Sequence, residues 1–196
     1  MNALHRHAGP TEDTAQLVTR ALPRRPALLA STRLVAVDGP AGSGKTTLAA
    51  DLELAQRARG GTVETLHMDD LYEGWTGLDT ALERRVLEQI LRPLATGAVA
   101  RWQRYDWHAA QFDGWVDLAP PDVLVLEGCG SGARTYAPYT SLLVWLDADR
   151  QTRIQRGLAR DGAAALPHWL AWMDLESAYF TANDTAARAD IPVRTD

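Results

Sequence analysis

Cysteine and lysine are almost absent from this chain. Cys129 is the only cysteine among 196 residues, which excludes a disulfide framework and a metal site built from several thiolates. The sequence also has no apolar run of the length that crosses a bilayer, and its start has no apolar segment of the signal-peptide kind. These absences are typical of a globular protein in a reducing compartment, and we expect a cytoplasmic location.

Positive charge is also in short supply, since the formal net charge is −5. An acidic chain does not attract the nucleic-acid backbone or an anionic membrane surface, so we expect neither partner. A chain of 196 residues with 46% hydrophobic content can fill one core. We therefore expect a single domain over residues 1–196, in which residues 1–30 form an N-terminal extension.

The only lysine occupies a position where arginine does not substitute well. Nineteen of the twenty basic residues are arginine, and the exception is Lys45. It lies in the segment Gly39–Thr47, which fits the Walker A phosphate-loop pattern G-x-x-x-x-G-K-[ST] without departure. A compact ammonium fits between phosphate oxygens in a way that a planar guanidinium does not.

The sequence around this phosphate loop supports the same interpretation. The apolar run 34–38 before it predicts a buried strand, and residues 48–55 after it predict a helix. Successive backbone N–H groups of such a loop bind phosphates, and the start of the helix adds its partial positive charge. The predicted nucleotide-binding residues are Gly39, Ala41, Gly42, Ser43, Gly44, Lys45, Thr46 and Thr47. Lys45 is predicted to reach the β- and γ-phosphates, and the Thr46 hydroxyl to bind Mg²⁺.

Strands and helices alternate along most of the chain, which predicts an α/β fold with a doubly wound parallel β-sheet flanked by helices. Predicted strands cover residues 62–68, 122–126, 142–146 and 190–193, the last as an edge strand. Predicted helices cover residues 11–22, 45–59, 79–91, 149–160 and 167–182, with Pro93 and Gly97 closing the third. The polar, aromatic residues 98–118 predict a hairpin-like excursion over the site.

Two acidic residues follow predicted strands at the edge where parallel sheets bind ligands. Asp69 is placed to accept a proton from an attacking hydroxyl, or to hold the metal through water. The alternative is that the Asp69-Asp70 pair caps a turn. Glu127 ends a central strand and is predicted as a second Mg²⁺ contact, with a solvent-facing charge as the alternative.

Three arginines share one face of the predicted helix 149–160, namely Arg153, Arg156 and Arg160. Forked guanidiniums of this kind neutralise the charge on a transferring phosphoryl group. A solvated helix face is the alternative. We expect residues 150–166 to form a lid over the nucleotide, because a break rich in glycine and alanine follows the helix.

The acceptor is predicted to contact residues 70–118. Four of the seven tryptophans lie in this region, at positions 75, 102, 107 and 115. They are either core residues or a flat aromatic wall for a planar acceptor. Tyr105, Asp106 and His108 are candidates for hydrogen bonds to acceptor hydroxyls, whereas Cys129 is predicted to be a small buried filler.

These segments together resemble the uridine-cytidine kinase family of P-loop kinases, from Leu34 to Pro192. The resemblance rests on six sequence segments, which are GPAGSGKTT, MDDLY, RYDWH, LEG, LDADRQTRIQRGLARD and ARADIPV. The resemblance implies a P-loop nucleoside triphosphate hydrolase fold of the nucleoside kinase type. It implies Asp69 as catalytic base, Tyr72 and the RYDWH segment as acceptor contacts, Glu127 as Mg²⁺ ligand, and the arginines as a lid. The segment Glu73–Asp79 departs from the family pattern. His108 also follows Asp106 more closely in the sequence than the corresponding histidine of the family does.

The sequence thus predicts an ATP- and Mg²⁺-dependent kinase for a small-molecule alcohol, with uridine or cytidine as the leading acceptor. Its predicted catalytic residues are Asp69, Lys45, Arg156 and Arg160, and Arg153 is assigned to the nucleotide. Asp70, Tyr72, Trp75, Tyr105, Asp106 and His108 are assigned to the acceptor, and Thr46, Glu127 and Asp69 to the metal.

Other functions remain open. A kinase for a nucleoside monophosphate or a sugar-like metabolite has the same loop, and so does a non-catalytic nucleotide-gated binding protein. A G protein is excluded, because its guanine-binding motif requires a second lysine. A homo-oligomer is possible.

Overall fold

A five-stranded parallel sheet lies at the centre of the computed structural model, which describes residues 10–196. The strands are β1 (Arg33–Asp38), β2 (Val63–His67), β3 (Ala100–Asp106), β4 (Gln111–Leu118), β5 (Val123–Glu127), β6 (Thr140–Asp147) and β7 (Ile191–Arg194). Their order in the sheet is β2-β5-β1-β6-β7, and every pairing is parallel. The predicted doubly wound α/β fold is confirmed, and β7 is an edge strand as expected.

Helices cover both faces of this sheet. They are α1 (Pro10–Ala21), α2 (Lys45–Arg57), α3 (Thr80–Val86), α4 (Arg92–Ala95), α5 (Arg150–Asp161), α6 (Leu166–Asn183) and α7 (Thr185–Arg188). Strands β3 and β4 pair as a separate antiparallel hairpin, which is the excursion that the sequence predicts. None of the helices within residues 10–196 combines the length and the apolar character that a membrane span requires.

The core has two layers because side chains alternate across the buried strands. Val35 and Val37 of β1 pack with residues of α1 and α2 on one face. Leu34 of β1 and Leu124 of β5 pack on the other face with α3, α4 and α6. Since β1 lies between β5 and β6, its backbone is paired on both sides, and the loop that follows it begins from a fixed position.

The helix boundary that differs most from the prediction lies at Pro93. Pro93 does not close the helix that begins after Asp79, because Leu87–Leu91 form a wider π-helical turn and α4 continues to Ala95. The N–H of Arg92 bonds the carbonyl of Leu87, five residues back. This widening accommodates the proline ring, which clashes with the preceding turn of a regular α-helix.

The carboxylate of Asp38, at the end of β1, holds two loops together. Its oxygens accept hydrogen bonds from the backbone N–H groups of Gly39 at 2.7 Å, Gly130 at 2.9 Å and Gly132 at 2.8 Å. The side chain is fully buried, and this burial raises its pKa to about 6 although the three N–H groups and Lys45 oppose the shift. The start of the phosphate loop is therefore fixed to the loop that follows β5.

We expect Asp38→Ala to lower the free energy of unfolding by roughly 3 kcal/mol or more. The change leaves three buried N–H groups without an acceptor, and each such loss costs about 1–3 kcal/mol. Urea denaturation of the purified variant measures the effect, with Asp174→Ala as the matched control at an exposed position of α6. Equal stability of the two variants would contradict this role for Asp38.

Candidate functional site

A cavity of about 410 Å³ opens at the carboxyl edge of the sheet. The phosphate loop after β1, the short 3₁₀ turn Met68–Asp70 after β2, and Glu127 at the end of β5 meet there. Helices α5 and α6 form part of the remaining wall. This edge is where open parallel sheets bind their ligands, because the loops leaving neighbouring strands converge on it.

The phosphate loop presents its backbone to one end of the cavity. Helix α2 begins after Gly44, whose φ of +95° is left-handed and whose place at the helix start provides no side-chain cap. The first N–H groups of α2 are therefore available to an anionic ligand. Of the eight nucleotide-binding residues predicted in the phosphate loop, six line the cavity: Ala41, Gly42, Gly44, Lys45, Thr46 and Thr47. Gly39 and Ser43 do not line it.

Gly39 lies behind the cavity for a steric reason. A Cβ atom at this position would come within 2.0 Å of the Leu146 carbonyl oxygen, and the φ of Gly39 is +142°. Only glycine permits this approach of the phosphate loop to β6. Gly39 thus shapes the loop from behind.

The Lys45 ammonium is buried at the base of the cavity. Its Nζ donates to the Pro40 carbonyl at 3.0 Å and lies 3.6 Å from the Cys129 sulfur. Burial lowers the pKa of Lys45, but Cys129, Glu127 and other acidic groups raise it, and the net shift is upward. The ammonium therefore stays charged at neutral pH. Cys129 is buried as predicted, but it also lines the cavity beside this ammonium.

Asp69 lines the same cavity as Lys45. Its side chain is open to the cavity, yet the surrounding protein atoms desolvate it, and this desolvation together with the nearby Glu127 raises the pKa of Asp69. Lys45 and Arg160 act in the opposite direction. A carboxylate with a raised pKa is a stronger proton acceptor, which suits the role of a general base.

The donor set near Thr46 fits a magnesium ion. Thr46 Oγ1 lies 3.3 Å from Glu127 Oε1, and His67 Nδ1 contacts the same carboxylate oxygen at 2.5 Å. Magnesium prefers hard oxygen ligands and is usually held by one or two carboxylates together with substrate phosphates. Within residues 10–196 no group of three or more histidine, cysteine and acidic side chains is placed to hold a metal ion by itself. Thr46 and Glu127 therefore lie together as the sequence predicts, and His67 orients the carboxylate.

The three arginines of α5 have different surroundings. Arg156 and Arg160 line the cavity. Arg156 donates to the Gly42 carbonyl at 3.2 Å, and Arg160 pairs with Asp161 at 2.7 Å. Arg153 does not line the cavity, because its guanidinium forms an ion pair with Glu176 at 2.8 Å. The predicted contact of Arg153 with the nucleotide is thus not what this structure shows.

An aromatic wall forms the end of the cavity near Asp69. Its members are Tyr72, Trp75, Trp107, Trp169 and Trp172. Trp75 meets Trp107 edge to face at 5.7 Å and Trp172 at 6.2 Å between ring centroids. The indole N–H of Trp107 donates to the Asp69 carbonyl at 2.8 Å, so this wall also fixes the backbone of Asp69.

The remaining tryptophans of the segment 70–118 lie elsewhere. Trp102 is a core residue with 5% exposure, and Trp115 is half-exposed on the hairpin. Trp169 and Trp172 of α6 take their place in the wall. Trp169, Trp172 and Glu176 lie at i, i+3 and i+7, a spacing that places them on one helix face. This spacing is the sequence signal that could have identified them.

Four of the predicted acceptor contacts do not line the cavity. Asp70 pairs with Arg104 at 2.8 Å. Tyr105 is buried against Trp107. Asp106 accepts from the backbone N–H groups of His108 and Ala109, which closes the hairpin turn, and the His108 side chain is exposed there. Only Tyr72 and Trp75 of the predicted acceptor residues reach the cavity.

Comparison with solved structures identifies proteins of the same fold. A possible uridine kinase from Bacillus stearothermophilus is 23% identical with a TM-score of 0.67, and the match covers 92% of this chain and 97% of that one. A candidate fructose transport system kinase from Silicibacter sp. TM1040 is 20% identical with a TM-score of 0.65, over 93% and 98% of the two chains. D-glycerate 3-kinase from Cryptococcus neoformans var. grubii is 15% identical with a TM-score of 0.61, over 95% and 94%.

These similarities establish the fold. The chain has the P-loop kinase fold over most of its length, in agreement with the resemblance that its motifs suggest. No protein-family model matches the sequence, and no curated protein matches it. The acceptor is therefore a question for the geometry of the cavity and for experiment.

We expect Lys45→Arg to weaken MgADP binding by roughly tenfold or more. The buried space between the Pro40 carbonyl and Cys129 fits an ammonium, whereas a planar guanidinium is larger and presents its donors in a fixed fork. Isothermal titration calorimetry measures the affinity, with Arg57→Lys as the control for an exposed cation on the same helix. An affinity within twofold of the wild-type value would show that the shape of the cation is unimportant.

Proposed function

We propose that this protein is an ATP- and Mg²⁺-dependent kinase that phosphorylates a hydroxyl group of a small molecule, with a nucleoside such as uridine or cytidine as the leading acceptor. One observation carries the proposal. Lys45 of the phosphate loop and Asp69, in the short turn after β2, line one cavity of about 410 Å³. A phosphate donor and an alcohol acceptor can thus meet between a fixed cation and a carboxylate.

Each side chain has a defined role in this proposal. The loop amides and Lys45 hold the triphosphate, and Asp69 accepts the proton of the attacking hydroxyl. Thr46 and Glu127 would hold Mg²⁺, which neutralises charge on the phosphates when it is bound. Arg156 and Arg160 line the cavity and are suited to stabilise the charge on the transferred group. Residues 150–166 would act as the lid.

The aromatic wall supports a ring-bearing acceptor. Five aromatic side chains line the same cavity as Asp69, and flat rings favour stacking with a planar group. The structural similarity to a possible uridine kinase points in the same direction.

A kinase for a sugar-like metabolite is the second candidate. It is favoured by the similarity to a candidate fructose transport system kinase and to D-glycerate 3-kinase. The placement of Asp70, Tyr105, Asp106 and His108 outside the cavity also removes polar contacts expected for a nucleoside.

We expect Asp69→Asn to lower kcat by roughly 10²- to 10⁴-fold, the usual span for the loss of a general base. MgATP binding should change little, since the phosphates are held by the loop and Lys45. Steady-state kinetics with the best acceptor measures the first effect and calorimetry the second. Asp113→Asn, on the exposed hairpin, is the control. Turnover of the Asp69 variant near the wild-type rate would remove Asp69 as the base.

An acceptor panel distinguishes the candidate functions. We expect uridine or cytidine to stimulate ADP release from MgATP by roughly tenfold or more over the acceptor-free rate, a modest part of the acceleration that positioning alone provides. The panel also includes nucleoside monophosphates, fructose and glycerate. Stimulation by fructose or glycerate alone would support the sugar-like acceptor, and stimulation by a nucleoside monophosphate alone would support a nucleoside monophosphate kinase. Tight nucleotide binding without stimulation by any compound would favour a nucleotide-gated binding protein.

A further inference from the structure

A buried ion pair between Arg153 and Glu176 lies against the phosphate loop. Glu176 of α6 is 2% exposed, and its Oε1 accepts from Arg153 Nη1 at 2.8 Å. Neither side chain lines the cavity. Both side chains instead contact the backbone of the phosphate loop.

The two partners hold the same residue of the loop by its two backbone groups. Glu176 Oε2 accepts from the N–H of Ala41 at 2.8 Å, and Arg153 Nη1 lies 3.4 Å from the Ala41 carbonyl oxygen. Arg153 Nε also donates to the Ala148 carbonyl at 3.2 Å, at the start of α5. The conformation of the loop at Ala41 is therefore fixed from behind by α5 and α6 together.

The charge of Glu176 has a consequence for an anionic ligand. Glu176 lies within the electrostatic influence of Lys45, whose pKa it helps to raise. A carboxylate at this place that lacks its cation would repel the phosphates that Lys45 attracts. An unpaired buried charge is also strongly unfavourable in itself. Arg153 supplies the compensating cation.

We propose that Arg153 and Glu176 form a charge-balanced support of the phosphate loop, in which Arg153 neutralises Glu176 and positions Ala41 without touching the nucleotide. The inference rests on the proposed function only in requiring that the loop binds a nucleotide. It assigns both residues a positioning role. It also differs from the expectation that Arg153 is a direct phosphate ligand, because the two roles respond differently when both partners are changed.

A double-mutant cycle on MgADP affinity tests this role without an acceptor. We expect Arg153→Met to weaken binding by roughly tenfold or more, because it leaves Glu176 unpaired behind the loop. Glu176→Gln keeps an acceptor for the Ala41 N–H but leaves the Arg153 cation without its anion. A cation against the loop attracts the phosphates rather than repelling them, so we expect the affinity to change by about threefold or less. The double variant should recover to within about fivefold of the wild-type affinity, because its loop carries no unpaired charge.

The control pair is Glu53 and Arg57, an exposed ion pair on α2 at 2.6 Å, where Arg57→Met should leave the affinity unchanged. Thermal melting shows whether each variant is folded. If Arg153→Met does not fold, Arg153→Gln alone and combined with Glu176→Gln provide the same comparison.

Three results would overturn the inference. A double variant as weak as the Arg153 variant would mean that Arg153 binds the nucleotide directly. An Arg153 variant with wild-type affinity would mean that the pair does not support the loop. Failure of the wild-type protein to bind MgADP would refute the proposed function and this role with it, whereas wild-type binding without recovery in the double variant refutes only this role.

Discussion

The buried carboxylate of Asp38 is the contact on which the geometry of the site depends. It joins the start of the phosphate loop to the loop that follows β5, through the N–H groups of Gly39, Gly130 and Gly132. Glu127 ends β5 just before the second loop, and Cys129 lies on that loop. Lys45 directly follows the first loop, at the start of α2. Asp38, which does not line the cavity, therefore helps to fix the distances among these three side chains. Hydrogen bonds from three N–H groups to a buried carboxylate are strong and directional, so Asp38 holds both loops in fixed positions.

The parts of the site that the sequence predicts are those whose geometry is local. A strand, a glycine-rich turn and a helix start follow one another between residues 33 and 57, so the pattern that identifies the phosphate loop also determines its shape. Asp69 and Glu127 are predictable for a related reason. Each follows or ends a parallel strand, and the carboxyl ends of parallel strands meet at one edge of the sheet. The sequence does not reveal that β5 lies between β1 and β2, but the edge is the same for any order.

The parts that the sequence does not predict depend on contacts between distant segments. Glu176 binds the N–H of Ala41, which is 135 residues away in the sequence. No local sequence pattern predicts such a partner. Trp169 and Trp172 lie on a helix rich in apolar residues, so their spacing shows a shared face but not what that face meets. For Asp106 the sequence predicts a contact that the structure does not contain. Its residue type and the resemblance favour an acceptor contact, but its carboxylate accepts hydrogen bonds from the backbone N–H groups of the hairpin turn instead.

Helix α6 contacts both the aromatic wall of the cavity and the phosphate loop. Trp169 and Trp172 contribute to the aromatic wall beside Asp69, while Glu176, one turn further along the same helix, binds the backbone of the phosphate loop. The helix is a rigid element over this distance, since its backbone hydrogen bonds fix the positions of all three side chains relative to one another. Any displacement of α6 therefore moves the aromatic wall and the contact with the phosphate loop together. In the proposed kinase, the position of the acceptor and the shape of the phosphate site would change together for this reason.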